Sequence, residues 1–246
     1  NLFFSILELA ASTNNEGYHY ALMQTWENCG YKLSDTPTKS SLSEFRSKVS
    51  YSFFEDIFRG DLKKFESKRK RFQGYYLYAI DGDQFELPAS NDVIENGYRG
   101  YPSTRARETH YPKMYTAQVL DIVNGLIRDF TFSQKQDEVH LARSMVATLE
   151  KNSITIYDRL HCGFETFRSH DLAGNFFIVR ARTGAGVEKG SRGVHDLVGE
   201  FCRSNDRTKN MLWRPRRGQI RIKPGVKVRL VKVKNPRTNE DCIFVT

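Results

Sequence analysis

Two aspartates, Asp81 and Asp158, each follow a short apolar run that is typical of a buried strand. The runs are YYLYAI at residues 75–80 and SITIY at residues 153–157. Carboxylates are the hard oxygen ligands that Mg²⁺ prefers. A pair of such ions about 3.5–4 Å apart stabilises the attacking and leaving oxygens in phosphodiester chemistry. The two aspartates are therefore candidate catalytic residues and metal ligands.

Simpler interpretations of these residues stay open. Asp81, Gly82 and Asp83 also resemble a turn, so the carboxylates could merely cap turns. Asp83 is a rival to Asp81 as a metal ligand, because residues two apart on a strand point to the same side. His161 lies near Asp158 in the sequence, and a surface or turn position is predicted for it rather than a role as a ligand.

Residue periodicity predicts the elements that position the two aspartates. Three strand patterns come first, followed by a helix, a strand, a short helix and a fifth strand; the segments are YYLYAID, YTAQVLDIV, LIRDFTFS, DEVHLARSMVATLE, SITIYDR, CGFETFRSHDLAG and NFFIVRAR. Asn124-Gly125 predicts a hairpin between the second and third strands. Strands joined through a helix are expected to be parallel. We therefore predict a mixed α/β fold with a five-stranded mixed sheet, in which Asp81 and Asp158 end adjacent strands.

Basic residues are concentrated near the end of the chain. The 246 residues carry a net charge of +9, from 38 Lys+Arg and 29 Asp+Glu. Residues 187–246 hold 15 of the basic and 6 of the acidic groups, a net of +9, which leaves 23 and 23 for residues 1–186. This imbalance predicts a polyanionic partner. The ordinary apolar content argues against disorder, and no apolar run approaches the length of a membrane span.

The basic segment contains IRIKPGVKVRL, in which apolar and cationic residues alternate across a Pro-Gly turn. Such a hairpin would present one cationic face to DNA phosphates. Trp213 could stack on an unpaired base, although a packed core position is the favoured interpretation. The predicted DNA-binding residues are Arg105, Arg107, Arg159, Trp213, Arg214, Arg216, Arg217, Arg221, Lys223, Lys227 and Arg229.

Several segments resemble the DDE transposases of insertion-sequence family four. AIDGDQFELP at residues 79–88 resembles their first-aspartate motif, and ITIYDRLHCG at residues 154–163 resembles their second. NFFIVRAR resembles the strand that follows, and DCIFVT at residues 241–246 resembles the strand before the third acidic residue. The resemblance covers residues 75–182 well and the rest loosely.

The resemblance implies a ribonuclease-H-like catalytic core that binds two Mg²⁺ ions, with Mn²⁺ as a substitute, through two Asp and one Glu. It also implies an endonuclease active in DNA transposition and recombination, which cleaves and transfers strands at transposon ends. The partners would be double-stranded transposon-end and target DNA, with a homodimer in the synaptic complex and no membrane. A cytoplasmic location, on chromosomal or plasmid DNA, follows.

The chain departs from this family in two respects. Arg159 is followed by Leu-His-Cys-Gly rather than Gly-Tyr, and the third motif, Tyr-x2-Arg-x3-Glu-x6-Lys, is absent. We therefore expect the third acidic ligand to lie outside this chain. The alternatives are a non-catalytic DNA-binding fragment or truncated transposase, and another ribonuclease-H-like nuclease. The predicted organisation is a helical region at 1–72, a catalytic core at 73–183, a basic β-rich insertion at 184–240 and a return strand at 241–246.

Overall fold

The computed structural model describes residues 2–11, 17–100, 111–181, 196–203, 211–215 and 225–246. The chain divides into two compact units, Asn1–Lys68 and Arg69–Thr246. Among the residues described, no helix combines the length and the apolar character needed to cross a membrane.

The first unit is helical, as predicted for the start of the chain. Phe3 packs against Phe53 and Phe54 at ring-centroid distances of 5.6 and 5.8 Å, which ties the first helix to the last. The Thr38 side chain accepts a hydrogen bond from the Ser41 amide and so caps the third helix. The helices are α1 (Leu2–Ala11), α2 (Tyr18–Asn28), α3 (Lys39–Lys48) and α4 (Tyr51–Glu66).

The second unit is a mixed sheet with helices packed on it. Its central strands have the order β3-β2-β1-β4-β5, with β1 antiparallel to β2 and parallel to β4. This is the strand arrangement of the ribonuclease-H-like fold, so the predicted fold class is confirmed. The strands are β1 (Tyr76–Glu86), β2 (Lys113–Asp121), β3 (Leu126–Ser133), β4 (Ser153–Tyr157) and β5 (Phe176–Arg180). The helices are α5 (Asn91–Glu95), α6 (Glu138–Met145) and α7 (Phe164–Ala173).

The sheet extends beyond the predicted five strands. Four more strands continue it in the order β9-β8-β6-β7, because β9 pairs with both β5 and β8. Their bounds are β6 (Asp196–Arg203), β7 (Met211–Pro215), β8 (Gly225–Lys234) and β9 (Asp241–Val245). The strands of the basic segment therefore share one sheet with the core. The predicted boundaries at 72, 183 and 240 remain predictions about domain organisation.

β1 is longer than its apolar run predicts. The strand does not end at Ile80 but continues through Asp81, Gly82 and Asp83 to Glu86. It pairs with β4 only as far as Ala79, whereas it pairs with β2 along its whole second half. The turn-like reading of Asp81-Gly82-Asp83 is wrong, because antiparallel pairing with β2 satisfies the backbone in an extended conformation.

A buried charged cluster anchors the start of β1. We define the Arg69 cluster as Arg69, Tyr78, Asp121, Arg128 and Glu150. The Arg69 side chain is 2% exposed and lies 3.1 Å from the Asp121 carboxylate and 2.7 Å from that of Glu150. The Tyr78 hydroxyl donates to Glu150, whose other oxygen lies 3.1 Å from Arg128. Every carboxylate in this cluster therefore has a cationic partner.

The Arg69 cluster alters the acidity of Glu150. Burial acts to raise the pKa of this carboxyl, but hydrogen bonds from Tyr78 and Arg69 outweigh burial and lower the pKa to about 2. Asn124 adds a further link, since its side-chain amide donates to Asp121 at 2.9 Å and to the Lys70 carbonyl at 3.0 Å. The predicted Asn124-Gly125 hairpin is confirmed, and its Asn also holds the chain that leads into β1.

Candidate metal centre

Asp81 lies where β1 leaves its parallel partner. Ala79 is the last residue of β1 that pairs with β4, and its partner is Ile156. Asp81 is two residues beyond Ala79, and Asp158 is two residues beyond Ile156, so the two aspartates have the same offset on neighbouring parallel strands. The carboxylate of Asp81 is exposed and accepts a hydrogen bond from the Gly82 amide at 2.9 Å. The predicted parallel pairing of β1 with β4 is thus confirmed, and the two aspartates have matching positions beyond its last pair.

Asp158 begins the 3₁₀ turn Arg159–His161 that follows β4. Its Oδ1 accepts a hydrogen bond from the Leu160 amide at 2.7 Å, so this aspartate does cap a turn. Its side chain is 57% exposed, which leaves the carboxylate accessible. Capping and metal binding are compatible because a carboxylate offers several lone-pair directions.

Glu138 reaches the same edge of the sheet from α6. Asp137 caps this helix by accepting a hydrogen bond from the His140 amide at 3.0 Å, so Glu138 occupies the first turn. Its side chain crosses β1 at Gly82, where an added Cβ would lie 2.2 Å from the Glu138 Cγ. Only a glycine leaves room for this path without displacing the glutamate. Leu141, Ala142 and Met145 form the buried face that holds α6 in place.

His161 is buried beside these carboxylates. Its residue exposure is 1%, and its ring packs against Tyr157 at a centroid distance of 5.1 Å. The Nε2 atom lies 3.4 Å from a Glu138 oxygen and 3.8 Å from Asp158 Oδ1. Neither ring nitrogen makes a hydrogen bond within the described residues. Of the two predicted positions, a turn and the surface, the turn is correct and the surface is wrong, because the ring of His161 is buried.

The residues present fit a divalent cation. Asp81, Glu138 and His161 each offer a ligand atom within 4.8 Å of the others. Asp158 is not one of these three, but its Oδ1 lies 3.8 Å from His161 Nε2, and we call the four residues together the Asp81 cluster. A buried polar side chain without a partner carries a free-energy cost, and neighbouring carboxylates repel one another. A bound cation would relieve both, because it supplies a partner for the ring nitrogen and neutralises the acids.

Of the two rival candidates on β1, Asp81 belongs to the cluster and Asp83 does not. Asp83 is exposed, accepts a hydrogen bond from the Gln84 amide at 2.7 Å, and is not among the clustered ligands of the described residues. Glu138 and His161 were not predicted as ligands. The sequence shows Glu138 only as an acid in the first turn of the helix between β3 and β4, which is not specific for a ligand.

The structure describes a few of the predicted DNA-binding residues. Lys227 and Arg229 are exposed on β8, where they alternate with buried Val226 and Val228, so the predicted alternation is confirmed for this strand. Arg159 is exposed in the 3₁₀ turn next to Asp158. Trp213 and Arg214 lie on β7, whose backbone pairs with β6, and their side chains lie outside the description. The remaining predicted residues also lie outside it: Arg105, Arg107, Arg216, Arg217, Arg221 and Lys223.

Comparison with known proteins gives one similar sequence. A protein of Escherichia coli (strain K12) named "Putative transposase InsZ" is 32% identical over 139 residues. The match covers 54% of this chain and 44% of that protein, so it spans less than half the length of the relative. No model of a known protein family matches the chain.

Comparison with solved structures gives distant similarities. The piggyBac transposase in a synaptic complex with hairpin DNA aligns with 99% of this chain and 50% of its own, at 11% identity and a TM-score of 0.46. Endonuclease V of Ciona intestinalis with a 23mer DNA aligns with 80% of this chain and 83% of its own, at 13% identity and a TM-score of 0.25.

Proposed function

We propose that this chain is the catalytic core of a DNA transposase that cleaves and transfers DNA strands in a Mg²⁺-dependent reaction. The observation that carries the proposal is the equal offset of Asp81 and Asp158 beyond the last pair of β1 and β4. The 32% identity to a protein named as a transposase favours DNA strand transfer over the reactions of other nucleases that have a similar sheet.

In the proposed reaction, Asp81 and Asp158 act as metal ligands. Both carboxylates hold Mg²⁺, which supplies charge stabilisation to the attacking and leaving oxygens of the phosphodiester. Asp81 is oriented by its hydrogen bond from the Gly82 amide, and Asp158 by its hydrogen bond from the Leu160 amide. These backbone contacts hold each carboxylate at the edge of the sheet. Under the family resemblance, a further acidic ligand is supplied from outside these 246 residues.

The basic segment supplies the proposed contacts with DNA. Lys227 and Arg229 project from the exposed side of β8, and residues 187–246 carry the whole net charge of +9. Contacts of Lys and Arg with phosphates release counterions, so the binding constant is expected to fall steeply with salt concentration. A homodimer on transposon ends and target DNA belongs to the same proposal, with Mn²⁺ able to replace Mg²⁺.

The test is nicking of supercoiled plasmid DNA by the full-length protein that contains this chain, in the presence of Mg²⁺, with DNA binding measured in parallel by gel shift. Asp81→Asn and Asp158→Asn are each expected to lower nicking by more than about 100-fold, the upper end of effects seen for residues that only support a ligand. DNA binding is expected to stay within about twofold, because the basic segment is unchanged.

Asp83→Asn is the matched control, since it removes a carboxylate two residues along the same strand. We expect this variant to nick DNA at the wild-type rate. Loss of DNA binding with retained nicking in the Asp81 and Asp158 variants would refute the assignment. Equal loss of nicking in the Asp83 variant would refute the choice of Asp81.

A further inference from the structure

We infer that His161 is a nitrogen ligand of the metal centre and that, together with Glu138, it makes the site select Mn²⁺ over Mg²⁺. This inference rests on the proposed function, because it concerns the same site. It adds two ligands from within the chain to the two aspartates, and it changes the chemical class of the preferred cation.

The first argument is the state of the imidazole. His161 is 1% exposed, yet neither of its nitrogens has a hydrogen-bond partner among the described residues. The Nε2 atom lies 3.4 Å from Glu138 without hydrogen-bonding geometry. An imidazole that is buried only for packing would be expected to find a partner, as His170 does with the Tyr157 hydroxyl at 2.8 Å. An imidazole nitrogen that lies beside carboxylates without a hydrogen bond has the surroundings expected of a metal ligand.

The second argument is the path of Glu138. Its side chain passes over Gly82 at a distance that any larger residue would block. This path brings a carboxylate oxygen within 4.8 Å of both Asp81 and His161 ligand atoms. Such an approach of an acid to an acid is unfavourable without a cation between them. Glu138 therefore adds a third carboxylate to the edge that Asp81 and Asp158 form.

The combination of carboxylates with one imidazole determines which metal ion the site prefers. Carboxylates alone suit Mg²⁺, whereas an imidazole nitrogen favours divalent transition metals. Mn²⁺ accepts carboxylate oxygens as Mg²⁺ does, and it lies within the transition-metal series that also binds nitrogen. A centre with three carboxylates and one imidazole should therefore bind Mn²⁺ more tightly than Mg²⁺.

The experiment is titration of the chain with MnCl₂ and with MgCl₂ by calorimetry, together with pulsed electron paramagnetic resonance of the bound Mn²⁺. For the wild type we expect a dissociation constant for Mn²⁺ at least about tenfold below that for Mg²⁺, and ¹⁴N modulation of the Mn²⁺ signal. His161→Gln should lose the modulation and weaken Mn²⁺ binding by about 10–100-fold. Its affinity for Mg²⁺ should change by less than about threefold.

Two matched controls accompany this variant. His140→Gln removes an exposed histidine on α6 and should keep both the modulation and the affinity. Glu165→Gln removes an acid from the first turn of α7, and it should leave binding unchanged where Glu138→Gln weakens the binding of both metals. If His161→Gln does not fold, wild-type protein labelled with ¹⁵N-histidine provides the test, because the modulation must change from ¹⁴N to ¹⁵N.

The outcomes separate this inference from the function on which it rests. Mn²⁺ binding that needs Asp81 but gives no nitrogen modulation would overturn the role of His161 and leave the proposed function intact. Modulation that survives in His161→Gln would also overturn it. A wild-type chain that binds neither Mn²⁺ nor Mg²⁺ would overturn this inference alone, because the proposed function places a further ligand outside the chain.

Discussion

The Arg69 cluster and the Asp81 cluster each include one residue of β1, Tyr78 and Asp81, only three residues apart, yet the carboxylates of the two clusters have different partners. In the Arg69 cluster, Asp121 and Glu150 lie within 3.1 Å of guanidinium groups. In the Asp81 cluster, acidic groups surround one buried histidine that has no hydrogen bond. The carboxylates of the first cluster have cationic partners within the protein, and those of the second would gain one from a bound cation.

The difference shows how a structural polar cluster can be distinguished from a functional one. Both contain buried polar groups and several carboxylates, so neither burial nor charge alone separates them. What separates them is the partner of each carboxylate, because in the Arg69 cluster both acids lie beside a guanidinium group, whereas in the Asp81 cluster the acids lie beside other acids and an imidazole. A cluster built for binding leaves partners missing, and its cost to stability is recovered when the ligand binds.

The largest expected effect is a loss of stability when the Arg69 cluster is disrupted. Arg69→Met should lower the free energy of unfolding by about 3–5 kcal/mol, because it leaves the Asp121 carboxylate, 1% exposed, without its cation. Urea denaturation followed by circular dichroism measures this change. Arg168→Met is the control, since its pair with Asp171 has side chains 38% and 47% exposed and should contribute about 0–1 kcal/mol. A loss for Arg69→Met as small as that for Arg168→Met would mean that the Arg69 cluster does not stabilise the fold.

A smaller effect, on metal affinity, is expected from Gly82→Ala, next to the Asp81 cluster. The added Cβ would displace the Glu138 side chain, which is 35% exposed and free to move outward. We expect the affinity for Mn²⁺ to fall about tenfold, equivalent to about 1.4 kcal/mol. The free energy of unfolding should change by less than about 1 kcal/mol, because Gly82 has no positive φ. Calorimetric titration and urea denaturation measure the two quantities.

Gly163→Ala serves as the control for the glycine change, because an added Cβ there meets nothing within 4 Å. This variant should bind Mn²⁺ with wild-type affinity. A Gly82→Ala protein that is folded and still binds Mn²⁺ as tightly as wild type would show that the position of Glu138 does not matter for binding.

A pH dependence of stability is also expected from the Arg69 cluster, through Glu150. The pKa of Glu150 is about 2 in the folded protein and 4.5 is its ordinary value, so the stability it contributes is present above pH 4.5. That contribution is lost as the pH falls from 4.5 towards 2. Glu150→Gln should therefore show a shallower loss of stability with acid over this range. Identical slopes for the variant and the wild type, measured by urea denaturation, would contradict the paired state of Glu150.

Much of the sheet could be predicted because its strands are buried and local patterns reveal them. Asp81 and Asp158 were identified as candidates since each follows a β-rich run, and the helix between strands three and four implied parallel neighbours. The end of β1 was misplaced because Asp and Gly favour turns in isolation. Pairing with β2, a non-local interaction, overrides that preference.

Glu138 and His161 could not be identified from local patterns because their roles depend on packing. An acid in the first turn of a helix is also favoured by the helix dipole, so the residue type alone does not indicate a ligand. Its proximity to Asp81 arises only when α6 docks across Gly82. The inward orientation of His161 follows from the turn that Asp158 caps, and no periodicity in the sequence reports it.

The pairing of β1 with β4 has a consequence for the order of folding. The β2–β3 hairpin closes over residues 122–125, whereas Tyr76 of β1 must find Ser153 of β4 across the whole intervening chain. Closure of that long loop costs more entropy and is slower. During synthesis, Asp81 leaves the ribosome well before Glu138 and His161. Under the proposed function, a nascent chain has no assembled centre, and cleavage of DNA is withheld until the sheet is complete.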